Sequence, residues 1–199
     1  MKAPVDDFSH NVIRVNGDAV DSMNDLYMTL AHEGYPGHLY QAIYTLNNGR
    51  LYEINYALGN MGYQEGWAMY VQNVMIREAG LKKGDAAYYE VNELYNYLSS
   101  AQLDIGINGY GWDVQQVWDY LDEDHAYYTE EEVQETLDYF ASMPGTLSAY
   151  GVGEAMFMSL RSVAQLSLGD DNFDMVEFHQ VLLDHGSRPF TNVISDLEK

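Results

Sequence analysis

Thr29–Gln41 reads TLAHEGYPGHLYQ, and the spacing of its two histidines governs how the rest of the chain is understood. Apolar residues at helical intervals run from about Asp25 to Leu46, so the stretch is expected to be helical on both sides of Pro36-Gly37. In a regular helix, four residues turn side chains by about 40° and lift them about 6 Å, which lets two imidazoles grip one ion. His32 and His38 stand six residues apart, a rotation of about 240° and a rise of about 9 Å in a straight helix. Pro36 rules out the straight helix, because it has no N–H for the carbonyl of His32 and its ring clashes there. Gly37 then admits backbone angles closed to other residues. A kink or bulge that loops out two residues is expected to return His38 to the neighbourhood of His32. A plain helix break with two unrelated histidines is the competing reading.

Working outward, Asn11–Asn16 (NVIRVN) alternates apolar and polar residues and ends in Asn-Gly, which predicts a short strand and a turn. The remainder reads as helix. The pattern predicts helices over about Tyr52–Ala79, Asp85–Ile105 and Asp113–Asp122, with a glycine-rich stretch from Gly106 to Gly111 between the last two. Thr129 and Glu132 form a capping box for a helix stopped at Pro144-Gly145. Further helices are expected over Leu147–Leu168, closed by Gly169, over Asp174–His185, and from Pro189 through Leu197. The fold class is mainly α with a short N-terminal β element, in one domain, without an internal repeat.

The 199 residues are 47% hydrophobic and 14% aromatic, enough for a substantial core. Nine basic against 31 acidic residues give a formal charge of −22, which repels phosphate backbones and excludes nucleic acid as a partner. No stretch approaches the roughly 18 apolar residues of a membrane span, so no membrane insertion is expected and the chain reads as soluble. The polar, proline-containing start resembles the middle of a larger protein, so an excised C-terminal part with a missing N-terminal region is expected. The compartment stays open, an extracytoplasmic one included.

The chain has no cysteine, so a zinc ion would need His, Asp or Glu ligands. Two histidines and a carboxylate leave a coordination position open for chemistry. Glu65, in GYQEGWAMY, is the expected third ligand: a carboxylate among Trp67, Met69 and Tyr70 is costly unless paired or bound to a cation, and Gly62 and Gly66 allow a neighbouring helix to approach. Glu33, beside His32, has the position of a general base that moves protons between water and a leaving amine. Arg161 lies eleven residues after Tyr150, nearly on the same helical face, and is a candidate for binding a substrate carboxylate; a salt-bridge role is its alternative. His179 and His185 read as core or capping residues. Asp170, Asn172 and Asp174 mimic a calcium loop but have Met175 where glycine is required, so they read as a capping turn.

HEGYPGHLYQ followed by EGWAMY resembles the bacterial family called domain of unknown function 885. PGTLSAYGVG, SLRSVAQLSLG and FDMVEFHQVLLDHGSRPF are similar to later blocks of that family, so the resemblance covers nearly the whole chain from about Asn11. It implies a helical zinc-peptidase-like fold, similar to peptidases whose third ligand is a glutamate on a following helix. His32, His38 and Glu65 would be the ligands of Zn2+, Glu33 the base, and a peptide or protein the substrate. The resemblance adds Tyr150 as a hydrogen-bond donor to the oxyanion of a tetrahedral intermediate. The chain departs from the family at Thr146-Leu147, where Gln-Ala is more usual. A zinc hydrolase of another amide or ester is a rival within enzymes, and a binding or structural module with a vestigial metal site is the rival outside them.

Overall fold

The computed structural model describes residues 10–47, 59–123, 125–184 and 186–197. The described residues are mainly helical and include no strand. The helices are α1 (Met23–Glu33), α2 (His38–Asn47), α3 (Met61–Glu78), α4 (Lys83–Asp104), α5 (Val114–Leu121), α6 (Glu130–Ser142), α7 (Thr146–Leu168), α8 (Met175–Leu183) and α9 (Phe190–Leu197). The helix expected over Tyr52–Ala79 is not continuous: Gly59 and Asn60 are not helical, Gly59 has φ +55°, and the Asn60 side chain caps α3 at Met61. Its expected start at Tyr52, and the expected end of the later helix at His185, lie outside the described residues.

Asn11–Asn16 does not form the expected strand. Its alternation is partly real, since Asn11 and Ile13 are half-buried while Val12 and Arg14 are exposed. A strand also needs a partner for its backbone groups, and this segment instead lies along α1, where the Ile13 side chain abuts Gly34.

Local chemistry sets the helix ends. Ser22, Asn60 and Asp174 accept hydrogen bonds from the first-turn amides of α1, α3 and α8. Asp113 and Thr129 close full capping boxes with Gln116 and Glu132. The N-terminus of α7 has no cap of its own. Asp104 reaches it from α4 instead, accepting from the Gly145 amide at 3.0 Å, the Ser148 amide at 3.1 Å and the Ser148 hydroxyl at 2.9 Å. Between α4 and α5 the chain makes a π-turn over Ile105–Gly109, with Gly106 seated under the Trp112 ring.

The organising element is α3, in which every residue from Gly66 to Asn73 is buried. A helix buried all round sits at the centre of its domain. Helix α7 runs alongside it and in the same direction, with Gly66 against Gly153 and Tyr70 stacked on Phe157. A β-carbon on Gly66 would come within 2.4 Å of the Gly153 backbone, so the two glycines allow the close approach. Gly62 lacks that role: its own β-carbon would have room, and its carbonyl is what approaches Gly153. Helix α4 is antiparallel to both, pairing Gln72 with Glu93 and Tyr97 with Tyr150. Tyr63, Trp67, Tyr70, Phe157, Phe178, Leu182 and Val193 form the main core. Burying each such side chain contributes about 1.5–3 kcal/mol. A second cluster of Leu103, Ile107, Val117, Val133 and Phe140 packs α5 and α6 against the end of α4.

Candidate metal centre

The link between α1 and α2 places the two histidines. Helix α1 ends at Glu33 and α2 begins at His38, so residues 34–37 join two separate helices rather than bulging out of one. The Gly34 amide bonds to the Leu30 carbonyl at 2.9 Å, and the Gly37 amide folds back to the Ala31 carbonyl at 2.9 Å. A β-carbon on Gly37 would lie 1.7 Å from the His32 carbonyl oxygen, so only glycine fits this turn. The Trp67 indole N–H donates to the Pro36 carbonyl at 3.0 Å and ties the link to α3 two residues beyond Glu65. The helix does break, as the competing reading had it, but the tight link brings the histidines face to edge with ring centroids 4.8 Å apart.

His32, His38 and Glu65 converge, with one ligand atom from each lying within 4.8 Å of the others. Glu65 Oε2 is 3.1 Å from His38 Nε2 and 3.6 Å from His32 Nε2. The three side chains are 11%, 18% and 16% exposed for His32, His38 and Glu65, sheltered but reachable. Burial works to raise the Glu65 pKa, yet hydrogen bonds and charge from His32 and His38 prevail and bring it down to about 2. Glu65 is thus an anion across the neutral range, as a metal ligand must be.

Tyr150 and Glu33 border this cluster. The Tyr150 ring stacks near that of His32, with centroids 6.3 Å apart and planes 9° from parallel, and on its other side stacks against Tyr97 at 5.4 Å. Burial, then the charge and hydrogen bonding of Glu65, push its hydroxyl up to about 12, so it keeps its proton at neutral pH. Glu33 is close enough to add to that shift. It is half-buried at the end of α1 and lies on a groove of about 290 Å³ between α1 and the segment containing Ile13 to Asp21.

Arg161 is not brought to the cluster. It lines a different cavity with Tyr70, Asn73 and Arg77, about 16 Å along α7 from Tyr150.

Sequence reading missed the groups that hold His32. Its Nδ1 faces Gln72 Oε1 at 3.0 Å, and the Gln72 amide N–H donates to Glu93. The Gln72 NH2 can only donate and is turned to Glu93, so the Gln72 carbonyl is the end that faces His32, and it accepts from Nδ1. That leaves Nε2 on the Glu65 side, the nitrogen with which the ring would bind a metal once the metal takes the place of its proton. Gln72 lies two turns after Glu65, a spacing visible in sequence; Glu93 carries no local signal.

A mainly helical domain whose described residues bring two histidines and a glutamate together from α1, α2 and α3 is the class defined by this geometry. Residues 1–194 match the family described as bacterial protein of unknown function (DUF885), and the chain belongs to it. No curated protein matches the chain. Two solved structures share the fold. One is a candidate lipoprotein from Colwellia psychrerythraea, 26% identical with a TM-score of 0.67 over 88% of this chain and 30% of that one. The other is a candidate lipoprotein of unknown function from Shewanella oneidensis, 24% identical with a TM-score of 0.69 over 89% of this chain and 32% of that one. The chain therefore spans about a third of the length of these neighbours. No helix among the described residues is long and apolar enough to cross a membrane.

Proposed function

We propose that this chain is the catalytic part of a zinc-dependent, gluzincin-like peptidase, with His32, His38 and Glu65 as metal ligands and Glu33 as general base. The observation that carries the reading is the convergence of those three ligand atoms from three different helices. The donor set suits zinc: two imidazole nitrogens, one carboxylate oxygen, and a His32 already turned by Gln72 to present Nε2. Bound zinc supplies Lewis acidity at a carbonyl oxygen and makes water easier to deprotonate.

The chain's own residues supply the rest. Glu33, on the groove beside α1, takes a proton from attacking water and passes it to the leaving amine. Tyr150, protonated and beside His32, donates a hydrogen bond to the oxygen that becomes negative as the peptide carbonyl turns tetrahedral. The groove between Ile13–Asp21 and α1 ends at Glu33 and receives an extended stretch of peptide substrate.

Glu33→Gln should bind zinc as the native protein does while hydrolysis of a fluorogenic peptide library falls by about 10²–10⁴-fold. Undiminished hydrolysis would remove Glu33 as the base. A zinc-loaded native protein that cleaves no peptide in the library would count against peptide substrates and favour the binding-module reading.

A further inference from the structure

The helix that carries Glu65, α3, also borders a second polar site. Between α3, α4 and α7 lies a cavity of about 470 Å³, and no residue of the metal cluster borders it. Its volume falls in the range of small-molecule sites. Two arginines border it, and they differ. Arg77 is held bidentately by Glu90, Nε to Oε1 at 2.8 Å and Nη2 to Oε2 at 3.1 Å. Arg161 is half-buried and pairs with no carboxylate among the described residues, in a chain with 31 acidic residues to choose from.

The two carboxylates on this cavity are not partners of Arg161: Glu90 is held by Arg77, and Glu78 is exposed at the last residue of α3. Arg161 lines the cavity together with Tyr70, whose hydroxyl lies 2.9 Å from His179 Nε2. Burial, with the Arg161 charge adding to it, lowers the His179 pKa to about 4, so that imidazole is uncharged at neutral pH. A guanidinium offers five N–H donors, and a sheltered cation without a counter-charge is costly. The same cavity is bordered by Asn73, only 8% exposed, whose amide N–H goes to Glu154 and whose Oδ1 has no partner. Val74, Leu94 and Met158 supply an apolar wall.

A donor fork for an anion, an acceptor for an N–H and an apolar wall match the three parts of an α-amino acid unit with a free carboxyl group. We propose that this cavity binds the free-carboxyl end of an apolar amino acid or short peptide. Arg161 holds the carboxylate, Asn73 Oδ1 accepts the N–H, and Val74, Leu94 and Met158 receive the side chain. The site uses none of the metal ligands and stands independently of the zinc reading.

The test titrates metal-free protein, kept so by chelator, with N-acetyl-leucine and with its neutral amide, followed by calorimetry. N-acetyl-leucine should bind saturably at one site per chain, and the amide at least about tenfold more weakly, because the charge-assisted bonds to Arg161 are lost. Arg161→Met should weaken N-acetyl-leucine to the level of the amide, Arg161→Lys should recover part of the affinity, and His38→Ala should change nothing. The absence of saturable binding to the native protein would overturn the proposal. So would equal binding of acid and amide, unaltered affinity in Arg161→Met, or affinity lost in His38→Ala, which would place the carboxylate at the metal cluster instead.

Discussion

The candidate metal cluster and the Arg161 cavity share α3, yet their polar groups are arranged in opposite ways. At the cluster the charges answer one another: Glu65 faces both histidines, and Gln72 and Glu93 hold His32 from behind. At the cavity one guanidinium, that of Arg161, makes no ion pair among the described residues, and a buried amide oxygen has no partner. In the first arrangement the polar groups hold one another in place. The second is open, and what it lacks describes what it would bind.

Substitutions can separate the two regions, and the largest effect is expected at the cluster. Tyr150→Phe should lower peptide turnover by roughly 10²-fold with little change in KM, the loss of one oxyanion donor; steady-state kinetics decide this, and unchanged kcat would reduce Tyr150 to a packing residue. Gln72→Leu keeps the bulk of the side chain but frees the His32 ring, so zinc affinity should fall by about 10–100-fold in a chelator competition while N-acetyl-leucine binding at the cavity stays as it was.

The smallest effect lies between the regions, at Glu154, which is fully buried one turn after Tyr150. Burial raises its carboxyl pKa, the Asn73 bond opposes that and the Glu93 charge adds to it, for a value of about 7 against an ordinary 4.5. The native state then holds a proton that the unfolded chain releases over that window, so this group's contribution to stability falls as pH rises from about 4.5 to about 7. Glu154→Gln removes that contribution. Urea unfolding should show the variant gaining on the native protein by on the order of 1–3 kcal/mol between pH 5 and pH 8. A difference that stays flat with pH would mean that Glu154 ionises normally.

Much of the helical layout was legible in the sequence because caps and breakers act locally. The Thr129-Glu132 capping box, the stop at Pro144-Gly145 and the Asp174 cap each follow from a few adjacent residues. The strand at Asn11–Asn16 was misread because alternation says which side chains are buried, not whether a neighbouring strand exists. At the site, Pro36 and Gly37 signalled a distortion, and the structure makes it a link between two helices that is fixed in place by Trp67. Arg161 shares a face with Tyr150 by helical spacing, but the same spacing sets it three turns, about 16 Å, along the axis and on a different cavity. Glu93 and Tyr97 reach the site only through the packing of α4, which no local pattern encodes.

The most direct measurement is a calorimetric titration of chelator-stripped protein with Zn2+. One ion should bind per chain, with binding lost in His38→Ala and in Glu65→Ala and retained in Arg161→Met. A native protein that takes up no zinc, or takes it up equally well without His38 and Glu65, would contradict the metal centre from which the proposed chemistry is built.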